Sequence, residues 1–328
     1  MATTVGVARW FRSASKDLGE GLSPYPFALA YPQDDHERFL VAKLNEAGGA
    51  VEWRSRLTSF TQDGDGVRAA ILRDLDGLRY EVDAGKQIGW LILDRPPLNI
   101  VSYRGRSQIN AIMEAFGQDP EVRVVVIRGA NGTYTSGGDV KEFPQIETDG
   151  MSHLAWNIAA PERCPKPVIC AMEKYAMGVG LELAMACDIR IATKDTVVAL
   201  PEVSLGQIPG SGGSQRVARI AGLTRAADMM MLGRRIPAPE AYQWGLLTRV
   251  VEDSAALDKE IDETVAKLTA QSPLALKTIK RVLATTYETG ISVGLEVEGH
   301  AYEKLRESED YREGIAAFTD KRKPQFNK

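Results

Sequence analysis

From residue 85 onwards, short continuous apolar runs alternate with stretches whose apolar residues recur at helical spacing. The continuous runs predict buried strands at 88–93, 122–128, 168–172, 188–193 and 197–200. Between residues 102 and 116, one helical face is formed by Ile109, Ile112, Met113 and Phe116, which predicts a helix. The chain beyond Gly212 is predicted to be mostly helical. This alternation predicts an α/β fold in which helices cover both faces of a parallel sheet.

The first 84 residues follow a different pattern. Strands are predicted at 26–31, 51–60, 67–72 and 78–82, and a helix is predicted at 35–46. The turn signals Asp63-Gly-Asp-Gly66 and Asp76-Gly77 separate the last three strands. We therefore predict a small α+β module over residues 1–84, an α/β core over 85–270 and a helical C-terminal region over 271–328.

Composition and charge narrow the classes of function. The chain has 328 residues, of which 44% are hydrophobic and 26% are charged, as is usual for soluble globular proteins. The formal net charge of −4 argues against a general nucleic-acid-binding protein, which would carry a basic surplus. No apolar run approaches the length of a membrane span, so we expect no membrane partner.

Cysteine spacing and the N-terminal composition bear on metals and location. Cys164, Cys170 and Cys187 lack metal-ligand spacing, so we expect buried thiols in a reducing compartment and no metal site. Residues 1–16 contain positive side chains and no acidic one, as transit peptides do, but they lack a secretory h-region. We expect a cytoplasmic protein with an N-terminal extension, and organellar targeting is the alternative.

The stretch from Met177 to Asp188 combines glycines with one carboxylate in an apolar setting. Gly178 and Gly180 follow a predicted strand and open a helix, whose N-terminal N–H groups and dipole favour a developing anion. Glu182 is the only carboxylate in this stretch before Asp188, and burying an unpaired carboxylate is costly. A group of donors and a carboxylate within one turn indicate a catalytic site.

Two further stretches carry candidate chemistry. Gly137 and Gly138, beside Ser136, allow the backbone to approach a ligand and to expose N–H groups. Glu202 lies among apolar residues at a predicted strand end, where a lone glutamate is usually a surface group. The presence of all three features in this order favours a functional interpretation of each.

Residues 85–328 resemble the crotonase, or enoyl-CoA hydratase/isomerase, superfamily. The resemblance implies a spiral of ββα units whose C-terminal helices form a homotrimer or a hexamer built as a dimer of trimers. It rests on motifs in the family's order: Pro97-Leu-Asn-Ile, Ser136-Gly-Gly-Asp-Val, Ala176-Met-Gly-Val-Gly-Leu-Glu-Leu-Ala, Cys187-Asp-Ile-Arg-Ile-Ala, Pro201-Glu-Val-Ser-Leu-Gly, Ile208-Pro-Gly-Ser-Gly-Gly-Ser-Gln-Arg, Ser272-Pro-Leu-Ala and residues 313–324.

The resemblance implies an acyl-CoA thioester substrate, with coenzyme A as part of the substrate and no permanently bound cofactor. It places the thioester oxygen between the N–H groups of Ser136 and Val179, where the family usually has glycine in place of the valine. It gives Glu182 the role of activating the attacking water and Glu202 that of delivering a proton to the α-carbon. Both glutamates have counterparts here, which favours an enoyl-CoA hydratase.

The same resemblance implies a set of residues that contact the CoA or acyl group. Leu98 and Ile100 would line the adenine pocket through their backbone, and Phe318 and Lys321 would reach CoA from a neighbouring subunit. A solvated basic tail is an equal interpretation of Lys321. The remaining implied contacts are Gly137, Gly138, Asp139, Val140, Gly178 and Gly180.

Residues 24–84 resemble an internal part of flavin-dependent aromatic hydroxylases, at Tyr31-Pro-Gln-Asp and Thr61-Gln-Asp-Gly-Asp-Gly-Val. No glycine-rich strand–helix turn precedes this segment, so we expect an accessory module without flavin. Two other functions stay open for the chain. One is hydration of cyclic dienoyl-CoA esters or enoyl-CoA isomerisation, and the other is a non-catalytic acyl-CoA-binding or scaffold protein.

Overall fold

Two units make up the chain in the computed structural model, Met1–Asp74 and Leu75–Lys328. The structure describes residues 7–8, 55–63, 66–73, 75–145 and 152–326. The helix predicted at 35–46 and the strand predicted at 26–31 lie outside the described residues.

The first unit contains a small antiparallel sheet. Its strands are β1 (Val7–Ala8), β2 (Ser55–Asp63) and β3 (Gly66–Arg73), in the order β1-β3-β2. The pairing of β2 with β3 runs to Asp63 opposite Gly66, so the predicted Asp-Gly turn does join two adjacent strands. This confirms the strand predicted at 67–72 and, over residues 55–60, the strand predicted at 51–60, whose first four residues lie outside the described residues.

The second unit contains a six-stranded and a three-stranded sheet. The strands are β4 (Leu78–Asp83), β5 (Ile88–Leu93), β6 (Val124–Gly129), β7 (Val168–Met172), β8 (Tyr175–Met177), β9 (Ile189–Thr193), β10 (Val197–Ala199), β11 (Ile236–Pro237) and β12 (Arg249–Val251). The larger sheet has the order β12-β9-β7-β6-β5-β4, and the smaller has the order β11-β10-β8. Within the larger sheet, all neighbours from β5 to β12 are parallel, as the alternating pattern predicts.

Helices connect these strands and form the C-terminal region. They are α1 (Tyr103–Gln118), α2 (Ser152–Ile158), α3 (Ala160–Arg163), α4 (Val179–Met185), α5 (Gly213–Ala221), α6 (Leu223–Met231), α7 (Ala238–Gln243), α8 (Ser254–Thr269), α9 (Pro273–Thr285), α10 (Ile291–Arg306) and α11 (Glu309–Thr319). Short 3-10 helices span Val140–Gln145 and Glu202–Leu205. Among the described residues, no helix is both long enough and apolar enough to cross a bilayer.

The core lies on both faces of the larger sheet. Successive side chains of β6 point to opposite faces, so Val125 joins the cluster around Phe116 of α1, whereas Val124 joins the cluster around Leu257 of α8. Strands that are buried on both faces have continuous apolar sequences, which is why they are recognisable in the sequence.

The boundary between the two units differs from the predicted one. The strand β4, assigned above to the N-terminal module, pairs with β5 in antiparallel register from Leu78 opposite Leu93 to Asp83 opposite Ile88. It therefore extends the larger sheet, and the second unit begins at Leu75 instead of after residue 84. Local turn signals do not distinguish a hairpin within one module from a hairpin that joins the next sheet.

Lys280 attaches helix α9 to the core. Its ammonium group pairs with Asp188 at 2.6 Å and donates to the carbonyls of Pro161 and Lys166 at 2.7 and 3.1 Å. Only 12% of the lysine side chain is exposed, so these partners replace most of its water.

We expect Lys280→Met to lower the free energy of unfolding by about 2 kcal/mol, because two carbonyls lose this donor and the Asp188 carboxylate keeps only the N–H of Val168. Lys194→Met is the matched control, because its ion pair with Glu252 is exposed on both sides and contributes about 0–1 kcal/mol. Chemical denaturation of both variants measures the difference. Equal free energies of unfolding for Lys280→Met and Lys194→Met would show that the Lys280 contacts stabilise the protein no more than an exposed ion pair does.

Candidate active site

Two turns that are distant in sequence meet beside the smaller sheet. Thr135 pairs with Ala176 in a parallel bridge, its N–H donating to the carbonyl of Tyr175 at 2.9 Å. On the other side, the N–H of Val101 donates to the carbonyl of Gly137 at 2.9 Å. The glycine turn after β6 is thus held between the turn before α1 and the start of α4.

The backbone donors at this meeting point differ in availability. The N–H of Ser136 donates to the carbonyl of Leu98 at 3.0 Å, and that of Gly137 donates to Oγ1 of Thr135 at 3.1 Å. The N–H groups of Gly138 and Val179 have no acceptor among the described residues. The prediction of Ser136 as an oxyanion donor is therefore corrected, because its N–H is already used, and Gly138 is the free donor of this turn.

The start of α4 has little room for side chains. Gly178 has φ +53°, which favours glycine, and a Cβ there would stand 3.0 Å from Oε1 of Glu202. A Cβ on Gly180 would collide with the methyl group of Thr135. The side chain of Val179 is 4% exposed and belongs to the main apolar cluster, so its bulk packs into the core while its N–H stays free.

Glu182 lies in the first turn of α4 and is 2% exposed. Its Oε1 accepts hydrogen bonds from the N–H groups of Ser211 and Gly213, at 2.7 and 2.8 Å. A Cβ on Gly213 would stand 3.0 Å from Cγ of Glu182, so the glycine allows this approach. Burial raises the pKa of Glu182, and the two backbone donors and the charge of Arg106 oppose the shift.

Glu202 opens the 3-10 helix after β10, and its carboxylate lies against Gly178. Its Oε2 is buried and has no hydrogen-bond partner in the described part of the chain. Burial, supplemented by the negative charge of Glu182, raises the pKa of Glu202 to about 7. A carboxyl group with this pKa can give or take a proton near neutral pH.

Arg106 is a site residue that the sequence reasoning missed. It lies on α1, is 5% exposed, and donates from Nη1 to Oγ of Ser211 at 3.3 Å. Ser211 thereby contacts both Arg106 and Glu182. Arg106 stands three residues before Ile109, on the buried face of α1, and a charge on an apolar helical face is a signal that could have found it.

The turn before α1 is held by a buried side chain. Nδ2 of Asn99 donates to the carbonyls of Ala130 and Thr133, and its Oδ1 accepts from the N–H of Arg95. Leu98 is 43% exposed on this turn, and Ile100 is half-buried. The predicted contact residues Leu98 and Ile100 thus border the glycine turn.

The next residues of the glycine turn lead into a short helix. Asp139 accepts from the N–H of Lys141 at 3.2 Å and pairs with Arg95 at 3.3 Å, which makes it a structural residue of the turn. Val140 begins the 3-10 helix and is 49% exposed. Both lie beside Gly138.

Two predicted CoA contacts lie elsewhere in the unit. Phe318 is on α11 with 85% of its surface exposed, and Lys321 follows that helix, also exposed. In the described part of the chain, neither makes a hydrogen bond or ion pair with Glu182 or Glu202.

The sequence profile of the enoyl-CoA hydratase/isomerase family matches residues 83–328, which is most of the chain. The chain belongs to this family. It is 35% identical over 241 residues to a probable enoyl-CoA hydratase of Bacillus subtilis, covering 72% of this chain and 93% of that protein. It is 37% identical to probable enoyl-CoA hydratase 2, mitochondrial, of Arabidopsis thaliana, covering 71% and 79%.

The fold agrees with that of solved family members. An enoyl-CoA hydratase structure from Bacillus anthracis matches with a TM-score of 0.71 and 31% identity, covering 76% of this chain and 99% of that one. These comparisons confirm the crotonase resemblance and its α/β fold.

A second profile, described as an FAD-binding domain, matches residues 2–89. This supports the resemblance to flavin-dependent hydroxylases. The described part of the match contains an antiparallel sheet, which supplies no helix N-terminus for a pyrophosphate, and residues 1–84 lack a Gly-x-Gly-x-x-Gly turn. The described residues of this match do not form the phosphate-binding turn of a flavin site, and we derive no flavin chemistry from them.

Proposed function

We propose that this protein is an enoyl-CoA hydratase that adds water across the 2,3-double bond of an acyl-CoA thioester. The observation that carries this proposal is the pair of carboxylates, Glu182 and Glu202, beside the free N–H groups of Gly138 and Val179. Membership of a family that contains named enoyl-CoA hydratases supports it.

In this proposal the thioester oxygen accepts hydrogen bonds from Gly138 and Val179. When water attacks the β-carbon, the electrons of the double bond move towards the thioester and place negative charge on that oxygen. Preorganised donors stabilise such an enolate by about 3–4 kcal/mol each. The dipole of α4, whose first residue is Val179, adds to this stabilisation.

The two glutamates divide the proton transfers. Glu182, ionised, accepts a proton from the water whose oxygen bonds to the β-carbon. Glu202, protonated, gives its proton to the α-carbon, and the enolate returns to a thioester carbonyl. The elements of one water are then added, and the pair of glutamates has kept the same number of protons.

We also propose how the rest of the substrate binds. The turn of Leu98 and Ile100 borders the adenine of CoA, and Phe318 and Lys321 reach CoA from a neighbouring copy in a homotrimer or a dimer of trimers. Their exposure on the end of the chain supports a role between copies instead of at their own glutamates. We propose a cytoplasmic location and no permanently bound cofactor.

The pH dependence of hydration follows from the raised pKa of Glu202. Its carboxyl is protonated below about pH 7 and ionised above it, and the proposed role needs the protonated form. We expect kcat/KM to fall in proportion to the proton concentration above about pH 7. In the reverse reaction, dehydration of the 3-hydroxyacyl-CoA, kcat/KM must fall over the same pH range. The reaction releases no net proton, so its equilibrium constant does not depend on pH. A profile that is flat through neutral pH would contradict the role of Glu202.

The proposal is tested with crotonyl-CoA and with longer and cyclic enoyl-CoA esters. Hydration is followed by the loss of enoyl-thioester absorbance and by mass spectrometry, in which the product gains one water. A product of unchanged mass would indicate an isomerase, and free CoA would indicate a thioester hydrolase. If the protein binds these esters and converts none of them, it is an acyl-CoA-binding protein and the hydratase proposal fails.

A further inference from the structure

Arg106 is a buried positive charge without a carboxylate at ion-pair distance. It is 5% exposed, and in the described part of the chain no aspartate or glutamate lies within 4.0 Å of its guanidinium. Arg128 of the same unit contacts Glu173 and Asp258. Arg123, 9% exposed, instead donates to the backbone carbonyl of Gln271, whereas Arg106 has only the hydroxyl of Ser211. A buried charge is costly unless a partner compensates it.

The hydrogen bonds of Arg106 use only one edge of its guanidinium. Nη1 donates to Ser211, and Nε is buried with no acceptor among the described residues. No described residue accepts from Nη2 either. Nε and Nη2 form the edge with which arginine binds both oxygens of one carboxylate. The donors that remain free thus have the spacing of a carboxylate.

The position of the guanidinium relates it to the proposed acyl site. Nη2 lies 3.0 Å from where a Cβ on Gly138 would stand, and Gly138 is a proposed donor to the thioester oxygen. The ring of Tyr103 packs against the guanidinium at 4.8 Å from its centroid. Negative charges of Glu182, Glu142 and Glu202 act on Arg106 from beyond ion-pair distance.

We propose that Arg106 binds a carboxylate carried by the acyl group, so that the preferred substrate is the monothioester of an unsaturated dicarboxylic acid. This inference rests on the proposed function and names its substrate class. A carboxylate would supply the missing acceptors of Nε and Nη2 and compensate the buried charge. No covalent step is added to the reaction.

The first test compares matched substrates on the wild-type protein. Fumaryl-CoA and glutaconyl-CoA place a carboxylate at two distances from the double bond. Their neutral counterparts, 4-methylpent-2-enoyl-CoA and 5-methylhex-2-enoyl-CoA, replace the carboxylate with an isopropyl group of similar shape. We expect kcat/KM for at least one acid to exceed that of its counterpart by about 10- to 100-fold, as for hydrogen bonds to charged groups. Equal values in both pairs would overturn the proposal.

The second test asks whether Arg106 causes the preference. Arg106→Met and Arg106→Lys should lose more activity on the preferred acid than on its neutral counterpart, again by about 10-fold or more. Arg128→Gln is the control, because its contacts with Glu173 and Asp258 share nothing with those of Arg106. If Arg106 acts only through its charge on the two glutamates, both substrates lose activity equally and the pH limb moves, which contradicts the proposal.

A binding measurement keeps this inference separate from the hydratase proposal. Calorimetry measures the dissociation constants of the wild-type protein for succinyl-CoA and glutaryl-CoA. The matched neutral ligands are 4-methylpentanoyl-CoA and 5-methylhexanoyl-CoA. This measurement needs neither turnover nor a variant that folds. If an acidic ligand binds more tightly than its neutral counterpart but no enoyl-CoA ester is hydrated, the proposed role of Arg106 is supported and the hydratase proposal fails. Hydration of neutral enoyl-CoA esters, with no preference for an acid in rate or binding, would leave the hydratase proposal and reject this one.

Discussion

Glu202→Gln lowers kcat for crotonyl-CoA hydration by about 10²- to 10⁴-fold, the usual contribution of a positioned acid or base. Glutamine has nearly the same size but carries no titratable proton, so the step to the α-carbon loses its donor. In the variant, kcat/KM should no longer fall above about pH 7, because that fall results from ionisation of the Glu202 carboxyl.

The assay for Glu202→Gln is the loss of enoyl-thioester absorbance across a pH series. Glu252→Gln is a suitable control, because Glu252 is exposed and its only described ion pair is with Lys194. The unfolding midpoint of Glu202→Gln should match or exceed that of the wild type, since the change removes a half-buried acid with an unpartnered oxygen. Full activity of this variant would exclude the role given to Glu202.

Glu182→Gln has an effect of the same size, about 10²- to 10⁴-fold in kcat, because the attacking water loses its base. The fold should be retained, since the amide oxygen of glutamine can still accept from the N–H groups of Ser211 and Gly213. The double variant should be little worse than either single one, because residues that act as a unit are not additive.

Rates of the two single variants and the double variant, measured on one substrate, give this comparison. If the fold-decrease in kcat of the double variant equals the product of the two single decreases, Glu182 and Glu202 act independently. That result would contradict the proposal that they act as a pair. Far-ultraviolet circular dichroism and unfolding midpoints of the three variants separate loss of chemistry from loss of structure.

The site residues differ in how far the sequence reveals them. Glu182 stands out as a lone carboxylate in an apolar helix start, whereas Glu202 is singled out only by the order of the motifs. The structure buries Glu182 and places the half-buried Glu202 against Gly178. Ser136 shows the limit of this reasoning. Its glycine-rich turn is recognisable, but the carbonyl that occupies its N–H belongs to Leu98, on a different segment. Which donor of a turn is free depends on partners that come from elsewhere in the chain.

Arg106 shows a second limit. Its place on the apolar face of α1 is readable from the spacing, but a long polar side chain on such a face usually extends to solvent. The structure instead buries it against Gly138, Ser211 and Tyr103. The packing of separate segments around the guanidinium decides this, and no local pattern carries that information.

By itself, the sequence determined the family, both candidate glutamates, the first helix and five of the strands from residue 85, but not the short strands β8, β11 and β12 or the helices α2 and α3. The strands and the helix follow from local periodicity, whereas the family and the two glutamates follow from the resemblance of motifs that occur in the family's order. Only the tertiary structure decided that β4 joins the larger sheet, that Gly138 instead of Ser136 has a free N–H, and that Arg106 is buried without a carboxylate. The physical reason is that strand pairing, hydrogen-bond occupancy and burial each depend on atoms from distant segments.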